Sequence, residues 1–131
     1  MFIGEYTHSV DEKNRFSLPA RFRKELGRKV VVTRGKDRCL YVYPTKTWTL
    51  ISREVASKGH VEIDPRFVRF TFAGASEIET DGSGRILVPE FLREFAGLGN
   101  SIVITGVHDR VELWNEKNWS DYKKKLESEY A

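Results

Sequence analysis

The sequence predicts an α+β fold, mainly β, built from two tandem copies of one module. The first observation is a nine-residue stretch that occurs twice. It reads Asp11-Glu12-Lys13-Asn14-Arg15-Phe16-Ser17-Leu18-Pro19 and then Asp81-Gly82-Ser83-Gly84-Arg85-Ile86-Leu87-Val88-Pro89. The second is that matches continue in order beyond it: Phe22-Arg23 with Leu92-Arg93, Gly27 with Gly97, Val32-Thr33 with Ile104-Thr105, Asp37-Arg38 with Asp109-Arg110, and Trp48 with Trp119. Ordered matches of this kind mark a duplicated module. The third is the alternation of short β-type runs with helical stretches opened by proline. A module of about 60 residues is near the lower limit for folding alone, so two copies sharing one core are expected.

Met1 to Val10 alternates loosely and predicts a strand; Asp11 to Asn14 is a tight polar loop. Asn14 stands where the second copy has Gly84, and these are the two residue types that most readily take positive φ. Phe16 to Leu18 predicts a short strand. Pro19 opens a helix with Phe22 and Leu26 on one face, ended by Gly27. Val30 to Thr33 and Cys39 to Tyr43 form a strand pair across a turn at 34–38. Pro44 opens a longer helix with Trp48, Ile51 and Val55 at helical spacing. Ser57 to His60 is short and polar, as a linker would be. Asp64-Pro65 has the form of a helix N-cap and first-turn proline, which decides for helix over the ambiguous Phe67, Val68, Phe70 and Phe72. Ala75 to Thr80 alternates, and the second pass then repeats the first. A final helix from Asn115 carries a Trp119, Tyr122, Leu126 and Tyr130 stripe. The modules are therefore expected at residues 1–56 and 75–131, joined by a linker over 57–74 that holds a short helix.

The chain has 131 residues, of which 40% are hydrophobic and 31% charged, the balance of a globular domain. No apolar run approaches the roughly 20 residues that span a bilayer. Met1 to Val10 lacks the basic start and apolar centre of a signal peptide. Cys39 is the single cysteine, which excludes a disulfide framework and a cysteine metal site within the chain. A cytosolic compartment is expected. Charge is unevenly spread: residues 1–60 carry 13 Lys and Arg against 6 Asp and Glu, while 61–131 carry 9 against 13. The basic half suits a polyanion partner or, equally, a solvated surface.

Catalytic patterns are scarce. His8, His60 and His108 stand far apart, with no metal partner at helical spacing. Gly82-Ser83-Gly84-Arg85 has neither dinucleotide nor P-loop spacing and leads into a strand, whereas phosphate loops lead into a helix. Ser83 lacks a GxSxG context. No enzyme activity, cofactor or metal is expected.

The repeated Asp-x-x-x-Arg loop fits binding better. Arg offers a flat fork of donors for a phosphate or a guanine edge. The Asp four residues earlier accepts loop N–H groups or orients the Arg. The alternative is that each Asp and Arg pair only to hold the hairpin. Lys13, Arg21, Arg23 and Lys24 cluster around Arg15, whereas Arg85 has Arg93 nearby together with Glu90 and Glu94. This predicts that Arg15 contributes more than Arg85. Trp48, Trp114 and Trp119 fall in corresponding elements and are read as core or interface anchors.

A duplicated Asp-x-x-x-Arg loop followed by apolar residues, Pro and a short amphipathic helix resembles the MraZ family, of the AbrB-like (SpoVT/AbrB) superfamily of bacterial transcription factors. The likeness covers essentially the whole chain, including Met1-Phe2-Ile3-Gly4 and Ala73-Gly74-Ala75-Ser76-Glu77. DGSGRILVP fits the family pattern closely, and DEKNR departs from it at Asn14. The resemblance implies a swapped-hairpin β-barrel made by the two halves of one chain, with short helices packed outside. It also implies a homo-oligomeric ring, nucleoid association, and binding to direct repeats in double-stranded DNA upstream of the division and cell-wall gene cluster, including the protein's own gene. The DNA-binding role carries over to Asp11, Arg15, Asp81 and Arg85, with Lys13 matching the first loop; Arg21 and Arg23 join them as neighbouring cations. Two functions remain open: a DNA-binding regulator, or an oligomeric, antitoxin-like partner binder without DNA readout.

Overall fold

The computed structural model describes residues 1–62 and 64–131. The first module runs β1 (Phe2–Ser9), β2 (Arg15–Ser17), α1 (Ala20–Leu26), β3 (Lys29–Arg34), β4 (Leu40–Pro44) and α2 (Thr45–Glu62). α3 (Pro65–Ala73) follows, then β5 (Ser76–Glu79), β6 (Arg85–Leu87), α4 (Glu90–Ala96), β7 (Ser101–His108), β8 (Arg110–Asn115) and α5 (Glu116–Tyr130). The protein is α+β.

The modules exchange strands. β1 pairs antiparallel with β7 along its length, from Phe2 opposite His108 to Ser9 opposite Ser101. β5 pairs in the same manner with β3 of the first module. The six-stranded sheet has the order β1-β7-β8-β4-β3-β5, and β2 pairs with β6 in a separate ribbon. The order is open, with β1 and β5 at the edges, so the pairing does not show the closed barrel expected from the resemblance. The ribbon strands are only three residues long because Pro19 and Pro89, two residues on, initiate α1 and α4.

Alternation on the ribbon sorts its side chains. Phe16 and Ile86, directly opposite each other, are both buried. Arg15, Ser17, Arg85 and Leu87 fall on the other face. Beneath the ribbon lies one core drawn from both modules, with Phe16, Leu18, Phe22 and Leu26 from the first and Ile86, Val88, Leu92 and Ala96 from the second. Phe2 and Tyr6 of β1 meet the Phe22 ring edge-on at 5.6 and 5.2 Å.

Several boundaries differ from the sequence expectation. β7 continues through Gly106 to His108, past the position matching the turn at 34–38 of the first module, because β1 supplies a partner along its whole length. Gly106 permits this approach: a Cβ there would lie 2.4 Å from the Ile3 nitrogen. Pro44 ends β4 rather than opening α2. α2 extends through Ser57–His60, since a polar run is compatible with helix as well as with a linker; Ile63, also in the expected linker, lies outside the described residues. α3 forms as its start signal predicted, with Asp64 accepting the Arg66 N–H at 2.9 Å and Pro65 in the first turn. Arg34 then grips the end of α3, donating through Nε and Nη2 to the Phe70 carbonyl at 3.0 and 2.7 Å.

The aromatic residues repeat with the modules. Tyr43 and Trp48 have ring centroids 5.8 Å apart, and their counterparts Trp114 and Trp119 stand 5.2 Å apart. Trp114 is buried and stacks on Tyr122, which ties α5 to the sheet.

Strand exchange has a measurable consequence. Residues 1–60 expressed alone lack β7 and β5 as partners for β1 and β3, and lack half the core. That fragment is expected to show no cooperative thermal unfolding as a monomer. A sharp monomeric transition in calorimetry would mean that the first module folds by itself.

Candidate nucleic-acid interface

The two Asp-x-x-x-Arg loops share one internal design. In the first, the Asp11 N–H donates to the Arg15 carbonyl at 2.8 Å and the Asn14 N–H to the Asp11 carbonyl at 3.0 Å. In the second, the Asp81 N–H donates to the Arg85 carbonyl at 2.9 Å and the Gly84 N–H to the Asp81 carbonyl at 3.0 Å. Closing so short a loop requires a left-handed residue before the Arg, and Asn14 and Gly84 supply it with φ of 63° and 78°.

Each Asp carboxylate serves as the hub of its loop. Asp11 Oδ1 accepts the Lys13 and Arg15 backbone N–H groups at 2.8 and 2.9 Å, while Oδ2 accepts Arg15 Nε at 3.0 Å. Asp81 Oδ1 accepts the Ser83 and Arg85 N–H groups at 2.9 and 3.0 Å, and Oδ2 accepts Arg85 Nε at 2.8 Å. The Arg15 N–H foremost, with the Lys13 N–H and the Arg15 guanidinium, holds the Asp11 carboxyl below its usual value. Asp81 is lowered in the same way, by the Arg85 N–H foremost and then by Ser83 N–H and the Arg85 side chain. An exposed ion pair by itself contributes only about 0–1 kcal/mol. The loop shape therefore rests on the carboxylate's bonds to backbone, and the Asp–Arg contact mainly sets the direction of the Arg.

That contact uses one edge of each guanidinium. Among the described residues, neither Arg15 nor Arg85 makes a hydrogen bond through its Nη groups; Arg85 Nη1 lies 3.8 Å from Asp11 Oδ2. Pairing with Asp thus holds the hairpin and at the same time leaves the outer donors of the fork for a ligand.

The ribbon brings the two loops together. With Arg15 opposite Leu87 and Ser17 opposite Arg85, both arginines occupy one face of a single two-stranded unit. Arg85 reaches two carboxylates, Asp81 at 2.8 Å and Asp11 at 3.8 Å, whereas among the described residues Arg15 pairs with Asp11 alone. Lys13 is exposed at the tip of the first loop, and Arg21 is exposed on α1. Arg23 is half-buried and reaches across to the second loop, where Nη1 donates to the Ser83 carbonyl at 3.1 Å.

Around the loops, sequence reasoning did not find this crossing or a hydrogen bond between His8 Nδ1 and the Ser17 carbonyl, which ties β1 to the ribbon. The first had a signal in the difference between Gly84 and Asn14, since a glycine leaves room that asparagine does not. Among the described residues no group of His, Cys, Asp and Glu is placed to hold a metal ion, and no helix is long and apolar enough to cross a membrane.

Paired Asp–Arg loops, repeated within one chain and set side by side over a shared core, define a duplicated-loop protein. The chain belongs to the MraZ family. The family model described as "MraZ protein, putative antitoxin-like" matches it twice, over residues 1–70 and 71–130. The chain is 46% identical over 131 residues to the transcriptional regulator MraZ of Syntrophomonas wolfei, covering 99% of this chain and 92% of that protein. It is 47% identical over 131 residues to that of Moorella thermoacetica, with the same coverage. With that of Carboxydothermus hydrogenoformans it shares 49% identity over 123 residues, covering 93% of this chain and 86% of the relative. These relatives are named as regulators of transcription and not as enzymes.

Proposed function

We propose that this chain is a DNA-binding transcriptional regulator whose reading surface is the outer face of the β2–β6 ribbon. The observation that carries the proposal is the pair of arginines on that face, each oriented by its own Asp and each with Nη donors that make no hydrogen bond among the described residues. Arg15 and Arg85 contact DNA, Asp11 and Asp81 aim them, and Lys13 and Arg21 supply the surrounding positive charge. The DNA is the set of direct repeats upstream of the division and cell-wall gene cluster, including the protein's own gene. The relatives' names support the regulatory role.

The working form is a homo-oligomeric ring in the cytoplasm, associated with the nucleoid, so that several weak loop contacts add by effective concentration. Each chain contributes one swapped-hairpin barrel from its modules at 1–56 and 75–131; the exchange of β1 and β5 and the common core support that reading.

One observation favours a second reading. Leu87 and Phe91, the counterparts of Ser17 and Arg21, are large apolar residues about half exposed, at 50% and 49%. They suit an oligomeric, antitoxin-like partner binder without DNA readout. A mobility shift with the gene's own upstream DNA at two salt concentrations separates the two. The regulator binds and weakens steeply as salt rises, whereas a partner binder gives no shift.

A further inference from the structure

We propose that Arg23 is a positioning residue that braces the second loop and makes the two loops mechanically unequal; this rests on the reading of the loops as the DNA-binding surface. Arg23 belongs to α1 of the first module, yet its Nη1 donates to the Ser83 carbonyl of the second loop at 3.1 Å. Its side chain also lies directly over Gly84. A Cβ at Gly84 would come within 2.0 Å of Arg23 Nη1 and 2.4 Å of its Cδ. The close approach therefore depends on residue 84 having no side chain, apart from its positive φ.

The duplicate module lacks this arrangement. Asn14, the counterpart of Gly84, carries a Cβ, and Arg93, the counterpart of Arg23, donates through Nε to the Val88 carbonyl of its own module at 3.0 Å. Among the described residues no side chain of the second module donates to a carbonyl of residues 11–14. The second loop thus holds Arg85 in one direction, while among the described residues the first loop receives from the other module no hydrogen bond to a carbonyl, only the 3.8 Å contact of Arg85 Nη1 with Asp11, and can adjust Arg15 to the DNA. Arg23 acts through Ser83 and Arg85 and does not itself reach the ligand.

Gly84→Asn separates position from charge. Asparagine tolerates the positive φ, as Asn14 already does, but its Cβ displaces the Arg23 side chain and leaves that cation in the protein. Arg23→Ala removes the brace and the charge together, and Arg23→Lys keeps the charge without the fork. Amide hydrogen exchange is measured by NMR on the full-length free protein, with thermal unfolding as a check that each variant folds.

Each variant is expected to speed exchange at the Ser83 and Arg85 amides by roughly fivefold, the factor for losing one hydrogen bond of ordinary net strength. The Lys13 and Arg15 amides should be unchanged. DNA titrations of the same variants should then show weaker binding at an unaltered salt slope, in Gly84→Asn as in Arg23→Ala. Unchanged exchange at Ser83 and Arg85 in folded Arg23→Lys and Gly84→Asn overturns the brace. So does a salt slope lowered by about 0.9 in Arg23→Ala alone, which would mark a direct phosphate contact. If the wild-type protein binds no DNA, the exchange data still decide the brace, and it is the DNA reading that fails.

Discussion

Arg15→Ala is expected to weaken operator binding more than Arg85→Ala. Both side chains lie on the outer face of the ribbon and both are aimed by an Asp, so geometry alone does not rank them. Charge does. Among the described residues Arg85 makes ion-pair contacts with two carboxylates, Asp81 and Asp11, and Arg15 with one. Exposed Lys13 shares the loop of Arg15 and Arg21 lies in the same module, while α4 begins with Glu90 and carries Glu94. These separations fall within a Debye length of roughly 8 Å at physiological salt only for near neighbours, so local charge decides. If Arg15 holds a base edge through its fork, its loss costs about 1–3 kcal/mol per engaged loop and relaxes sequence preference. If it touches only phosphate, the loss is uniform across sequences and the salt slope falls by about 0.9 per contact. Titrations of both variants against operator and scrambled DNA distinguish these outcomes, provided the oligomer size is that of wild type. Equal losses, or a larger loss for Arg85→Ala, would show that the local charge difference does not select the dominant loop.

Phe16→Ala should cause the largest loss of stability among single substitutions on the ribbon, about 3–5 kcal/mol. Phe16 is 2% exposed and faces Ile86 across the ribbon, with Phe22, Leu92 and the other core residues of both modules beneath. Removing the ring opens a cavity at the place where the modules meet, and a three-residue strand has little other packing with which to close it. Leu87→Ala on the opposite face, where half the side chain is exposed, should stay within about 0.5 kcal/mol. Urea unfolding of the two variants gives the contrast directly. Similar midpoints would mean that the ribbon does not depend on its buried face.

Local chemistry is the legible part of the sequence. Asn14 and Gly84 are expected at positive φ because each precedes Arg in a short loop, and they stand at 63° and 78°. The carboxylates of Asp11 and Asp81 are expected to accept loop N–H groups and do so in matched pairs. Asp64 and Pro65 decide for helix over residues 67–72, and α3 is there. Partner choice is not legible. Alternation in Phe2–Ser9 marks a strand but does not say that its neighbour is β7, about a hundred residues away in the chain, and the length of β7 depends on that neighbour. The polar run at Ser57–His60 has the composition of a linker and of a helix surface alike, and α2 takes it as helix. Sequence proximity groups Arg23 with the cations around Arg15, whereas α1 carries it to Ser83.

In the proposed function, the outer face of the β2–β6 ribbon is what touches DNA. The most direct test is to titrate the wild-type protein and an Arg15→Ala/Arg85→Ala double variant against the upstream repeats at several salt concentrations, with oligomer size checked for both. Removing both arginines from every chain should lower affinity steeply and reduce the slope of log K against log salt by about 0.9 for each phosphate contact removed. A double variant that assembles normally and binds with wild-type affinity and wild-type salt slope would contradict it.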